Sequence, residues 1–156
     1  MIAAPEFEVW PIAAMTAYLA GALGAATVGA WLVRRRERFG AAGTPIVAGL
    51  FLTAGWCLAV IVAGEVSLGA DVAEAVRNLA WFLAIGRLFA SDGRHNGLAP
   101  VRPVLFVLAG VELLHLGIAF ALLGIKPGSV AAVVAFNLTV LFRLLVTVGA
   151  LVLVHN

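Results

Sequence analysis

Long runs of apolar residues alternate along this chain with short polar segments. Residues 9–33 and 44–64 carry no charge, and two further runs, 103–124 and 129–154, are each interrupted by one charged residue. A helix needs about 20 mostly apolar residues to cross the hydrocarbon of a bilayer, where backbone amides find no water to bind. The pattern therefore predicts four helices that cross a membrane.

A fifth segment, residues 72–91, is harder to assign because it holds both acidic and basic residues. Alone, it has the pattern of an amphipathic helix at the membrane surface. Topology favours a fifth span, because five helices with the N-terminus outside leave nearly all connecting arginines in the cytoplasm. With only four spans, Arg94 and Arg102 would lie outside. We therefore predict a fifth transmembrane helix over 72–91.

The composition supports this reading and excludes other classes of protein. The chain is 63% hydrophobic and 12% charged, with a mean hydropathy of +1.11, whereas soluble domains are roughly 45–50% apolar and about 25% charged. The expected fold is all-α: a single transmembrane domain over residues 1–156, a polytopic bundle of five helices with a cytoplasmic C-terminus. We expect a multi-pass protein of a bacterial inner membrane, with the lipid bilayer as its partner and no nucleic-acid binding.

Two groups of residues outline the expected surfaces of the bundle. Six arginines are predicted at the cytoplasmic membrane surface: Arg34, Arg35, Arg36, Arg38, Arg94 and Arg102. Small residues recur every fourth position in the first helix, and this stripe consists of Ala13, Ala17, Gly21, Ala25 and Gly29. Such a stripe lets another helix approach closely. It serves either packing within the bundle or contact with a second subunit, in a homodimer or a larger membrane complex.

Charged residues inside apolar runs are the strongest candidates for function, because a charge at membrane depth is costly and needs a partner. Glu112 and Arg143 lie at matching distances, about 15 and 18 Å, from the cytoplasmic ends of two antiparallel helices. We predict an ion pair between them, with His115 one turn further outward.

Two residues of the third helix extend this predicted core. Arg77 and Asn78 lie somewhat nearer the outside, and Arg77 is alternatively spaced to pair with Glu74 at i, i+3. A buried pair of this kind either fixes the helix register or takes part in sensing, proton relay or ligand binding. A metal site is not predicted, because a di-iron bundle needs two copies of the Glu112-x-x-His115 spacing. No catalytic residue is assigned.

The second half of the chain resembles a known family. The resemblance rests on residues 77–83 (RNLAWFL), 87–89 (RLF), 92–95 (DGRH), 111–115 (VELLH) and 149–156 (GALVLVHN). They are similar to the transmembrane sensor region of PrsK-type membrane histidine kinases, which are associated with PEP-CTERM and exosortase systems. The resemblance covers residues 70–156, and the first two helices add only topology.

The resemblance implies an input role. This chain would be the sensor and anchor portion of a two-component histidine kinase, and it is not expected to be an enzyme alone. ATP as a cofactor and a response regulator as a partner would belong only to a longer parent chain. The alternative is a non-enzymatic accessory or scaffold subunit that docks on a larger membrane complex. A small transporter or proton channel is a third reading, which the lack of an evident internal repeat disfavours.

Overall fold

The computed structural model describes residues 9–35, 42–91, 98–125 and 128–155, whose regular structure is entirely helical. The five helices are α1 Val9–Val33, α2 Gly43–Ala63, α3 Leu68–Ser91, α4 Leu98–Leu122 and α5 Val130–His155. Four of them, α1, α2, α4 and α5, are long and apolar enough to cross a membrane. The chain is therefore an all-helical, multi-pass membrane protein by the length and composition of these helices.

The predicted boundaries agree with the observed helices within two residues, except at the starts of α3 and α4. These helices begin four and five residues earlier than predicted, at Leu68 and Leu98. The prediction began each helix after a charged residue, Asp71 or Arg102, whereas the helical backbone starts before that residue. Pro100 is compatible with this start because the first-turn amides have no acceptor within the helix. Pro103 has no amide hydrogen, so α4 lacks the backbone hydrogen bond to the Ala99 carbonyl.

Glycine and serine shape the two turns that join α2 to α3 and α4 to α5. Gly64 ends α2 with a left-handed φ of 86°, and its amide donates to the Val60 carbonyl at 2.9 Å. The Ser67 hydroxyl then accepts a hydrogen bond from the Ala70 amide, which caps the start of α3. Ser129 caps α5 in the same way through the Ala132 amide. These caps explain why such short connections reverse the chain.

Each helix packs mainly on the next helix in sequence, so the bundle is an ordered series from α1 to α5. Glycines allow the closest approaches. A Cβ atom added to Gly49 of α2 would lie 3.1 Å from the Trp81 indole of α3. A Cβ atom on Gly149 of α5 would lie only 2.6 Å from the Leu108 side chain of α4. Leu108 also belongs to the apolar core that α3, α4 and α5 share.

The small-residue stripe of α1 is divided between two environments. Gly29 is buried against Leu50 and Phe51 of α2, and Gly21 faces the Cys57 thiol. Ala25 is half-buried, whereas Ala13 and Ala17 are exposed. The half of the stripe nearer Val33 therefore packs within the bundle, while the other half leaves a face of small residues open.

The Gly49–Trp81 contact yields a prediction about stability. Gly49→Val should lower the free energy of unfolding by about 1–3 kcal/mol, because the added methyl groups collide with a large ring that cannot easily move. Thermal unfolding in detergent micelles measures the effect. Gly55→Val is the matched control on the same helix, because no atom lies within 4 Å of a Cβ at Gly55. Equal losses in both variants would show that the close packing is unimportant.

Candidate functional site

The central feature of the site is the side chain of Arg143, in the middle of the apolar α5. One terminal nitrogen, Nη2, lies 2.9 Å from Asp71 Oδ1 and 2.8 Å from Glu74 Oε2, and both carboxylates belong to α3. The predicted ion pair between Arg143 and Glu112 is therefore wrong. Arg143 binds two carboxylates of the third helix and joins the last helix to it.

Side-chain direction explains this choice of partner. Helical side chains tilt toward the N-terminus of their own helix. In α5 that direction leads toward the end where α3 begins and Asp71 lies in the first turn. In the antiparallel α4 it leads the opposite way, so the side chains of Glu112 and Arg143 diverge. Leu108 of α4 contacts Gly149 of α5, so these two residues lie at about the same depth. Counting along each helix from this contact places the Cα atoms of Glu112 and Arg143 within about 3 Å of each other in depth. Similar depth was thus not enough to make them partners.

Arg77 extends the network along α3. Its Nη2 lies 3.7 Å from Glu74 Oε1, so Glu74 interacts with Arg77 through one oxygen and with Arg143 through the other. Arg77 Nε and Nη2 also donate to Asn78 Oδ1 at 3.2 and 2.9 Å. The i, i+3 pairing of Glu74 and Arg77 is confirmed. We refer to Asp71, Glu74, Arg77, Asn78 and Arg143 as the charged cluster.

Aromatic residues connect this cluster to α1 and α2. The Arg77 guanidinium lies 3.9 Å from the centre of the Trp56 ring, in a cation–π contact. Trp56 in turn contacts Tyr18 of α1 edge to face, with ring centres 5.6 Å apart. Trp81 donates from Nε1 to Thr53 Oγ1 at 3.1 Å. The sequence gives no sign of this contact, because the position of Trp56 within one apolar run carries no signal of an arginine on another helix.

The cluster is electrically balanced when all its groups are ionised. Asp71 and Glu74 supply two negative charges, and Arg77 and Arg143 supply two positive charges. Pairing opposite charges offsets much of the cost of removing them from water, provided that hydrogen bonds satisfy the remaining polar atoms. Arg143 Nε is buried without a hydrogen-bond partner, and the Arg143 side chain is 39% exposed at the protein surface. The contacts with α3 therefore satisfy the Arg143 guanidinium only in part.

Glu112 and His115 form a separate buried pair within α4. Their exposed fractions are only 1% and 2%, and Glu112 Oε1 lies 3.7 Å from His115 Nδ1, which is too long for a hydrogen bond. Glu112 Oε1 and His115 Nε2 are buried with no hydrogen-bond partner. Arg77 is close enough to Glu112 to attract it electrostatically. Glu112 thus lies near the charged cluster, although no ion pair joins it to Arg143 or Arg77.

A groove opens beside the charged cluster, between α2, α3 and α5. It encloses about 530 Å³ and is lined by Arg77, Asn78 and Arg143 at its polar end and by Phe82, Ile85 and other apolar side chains beyond. Space beside a paired arginine permits its side chain to change partners without repacking a core. The groove therefore leaves open space next to the α3–α5 ion pairs.

The arginines predicted at the membrane surface are placed only in part. Arg34 and Arg35 are exposed at the end of α1, where Arg35 stacks on Trp31 at 4.7 Å. Arg102 is exposed near the start of α4, with its guanidinium 5.7 Å from the Phe106 ring centre. Arg36, Arg38 and Arg94 lie outside the described residues.

Comparison with known proteins finds no family model, no curated protein and no solved structure that matches the chain.

The ion pairs of Arg143 yield a prediction for double-mutant cycles. Arg143→Met combined with Asp71→Asn or Glu74→Gln should show a coupling of about 0.6–1.7 kcal/mol, the average and the maximum that double-mutant cycles give for polar contacts between membrane helices. Arg143→Met combined with Glu112→Gln should show weaker coupling than either of these pairs, because no ion pair joins the two side chains. Unfolding in mixed micelles measures both cycles. Stronger coupling with Glu112 than with Asp71 and Glu74 would refute the assignment.

Proposed function

We propose that the protein is the membrane-embedded sensor and anchor portion of a two-component histidine kinase. The observation that carries this proposal is the attachment of α5 to α3 through Arg143, Asp71 and Glu74. α5 otherwise packs mainly on α4. A last helix held by one adjustable polar contact is suited to passing a change in the bundle to whatever follows it.

The proposal includes α3 as a fifth span. α3 has 24 residues, so it is about 36 Å long and matches the thickness of a bilayer core. The charged residues in its first half, Asp71, Glu74 and Arg77, are paired within the protein, which lowers the cost that otherwise disfavours a span. Trp81 packs on α2 and Gly86 on α4, so α3 has neighbours on both sides along its length.

Orientation follows from the distribution of arginines. Arg34 and Arg35 at the end of α1 lie at the same end of the bundle as Arg87 of α3 and Arg102 of α4. The positive-inside rule assigns this end to the cytoplasm of a bacterial inner membrane. The N-terminus is then outside and α5 runs inward, so a displacement of α5 is delivered to the cytoplasmic side.

The mechanism we propose is a shift between two arrangements of Arg143. In one, its guanidinium binds Asp71 and Glu74 and holds α5 against α3. In the other, a signal that competes for these carboxylates or opens the adjoining groove releases α5. Such a rearrangement is a bistable element of the kind that switches proteins. Glu112 and His115 influence it through Arg77, which is attracted to Glu112 and to Glu74.

The direct experiment labels the product of the native gene. An epitope tag near the N-terminus identifies the product in membranes, which are then incubated with radiolabelled ATP. We expect a labelled product far larger than 16.2 kDa. Arg143→Met should change its labelling at least about fivefold, the lower range of allosteric couplings. Arg34→Gln, which changes an exposed charge outside the cluster, is the control.

An accessory subunit is the second candidate, and the open part of the α1 stripe favours it. Ala13 and Ala17 leave a face of small residues uncovered, and such faces let another helix pack closely. In the experiment above, an unlabelled product of about 16.2 kDa that purifies with a larger protein in fixed ratio would reject the kinase proposal in favour of this one.

A further inference from the structure

A second groove lies at the basic end of the bundle, between α3 and α4. It encloses about 610 Å³, and its walls include Leu79, Phe82, Leu83 and Phe106. Gly86 contributes to its width, because a Cβ there would already lie 3.3 Å from Leu105. Like the groove beside the charged cluster, it is lined mainly by apolar side chains.

Two arginines line the same groove, Arg87 from α3 and Arg102 from α4. Both are exposed, and neither forms an ion pair with another described residue. No acidic residue is found among the described residues that line the groove. Two guanidinium groups that no described carboxylate neutralises, beside an apolar channel, are complementary to a ligand with an anionic head and a hydrocarbon tail.

Depth in the membrane narrows the class of this ligand. Arg102 lies at the end of the apolar span 101–122 of α4, where the hydrocarbon meets the headgroup layer. Arg87 is ten residues from Arg77, so about 15 Å along α3 separates it from the charged cluster. Half the thickness of the hydrocarbon core is also about 15 Å. With the charged cluster at the centre of the bilayer, Arg87 therefore lies at the boundary of the hydrocarbon. The two arginines are thus at phosphate level, while Leu79 and Ala109 reach the depth of acyl chains.

From this arrangement we infer that the α3–α4 groove is a binding site for an anionic phospholipid. Arg87 and Arg102 bind its phosphate by charge-assisted hydrogen bonds, and one acyl chain lies along the apolar wall. The lipid would fill the space between α3 and α4 on the side away from the charged cluster. Its occupancy would stabilise the packing of these two helices.

The experiment uses the purified full chain in a neutral detergent and adds phosphatidylglycerol or phosphatidylcholine. Native mass spectrometry counts bound lipid, and the thermal midpoint reports its effect on stability. We expect one phosphatidylglycerol to be retained in preference to phosphatidylcholine. The Arg87→Gln/Arg102→Gln variant should bind it about tenfold or more weakly, given the usual contribution of each basic residue near an anionic membrane.

Two further variants separate a specific site from general surface charge. Arg34→Gln/Arg35→Gln removes the same charge from α1 and should retain the lipid. Ala90→Leu keeps both groove arginines but fills part of the groove, and it should weaken binding. Equal weakening in the α1 and groove double variants would overturn the inference. So would equal retention of both lipids by the unmodified protein, or full displacement of phosphatidylglycerol by millimolar inorganic phosphate, which would indicate a site for free phosphate.

Discussion

A charge inside a bilayer must find its opposite within the protein, and this constraint organises the centre of the bundle. Arg143 lies in the middle of an apolar helix, far from either end. Its guanidinium meets Asp71 and Glu74, and Glu74 passes the interaction to Arg77. Because α3 supplies both carboxylates, it cannot be as uniformly apolar as its neighbours. The acidic residues that set α3 apart from the four apolar helices are the ones that bind Arg143 of α5.

The same constraint separates the interior into two parts with different roles. The charged cluster is balanced, partly accessible and next to a groove, so its contacts can be exchanged. Glu112 and His115 are almost wholly buried and leave polar atoms without hydrogen bonds, so their surroundings are sensitive to any change of charge. Arg77 lies between the two parts and also stacks on Trp56. This links α2 to the contact that holds α5.

The helices could be predicted from the sequence, but the partners of the charged residues could not. A run of about 20 apolar residues has few alternatives to a membrane helix, which is why α1, α2, α4 and α5 were found nearly as they are. The rise per residue also placed Glu112 and Arg143 at similar depth. It says nothing about which face each residue occupies or which way its side chain tilts. Nor does it show that Ser67 caps α3 while Asp71, in the first turn of that helix, binds Arg143.

Solid-state NMR can measure the central contact in lipid bilayers. Dipolar dephasing between ¹⁵N-labelled arginine side chains and ¹³C-labelled carboxyl groups reports their separation, and subtracting the spectrum of Arg143→Met isolates the signal of Arg143. The account predicts strong dephasing from Asp71 and Glu74, with nitrogen–carbon separations below about 4 Å, as in a direct ion pair. Dephasing that survives Asp71→Asn/Glu74→Gln but disappears in Glu112→Gln would contradict it.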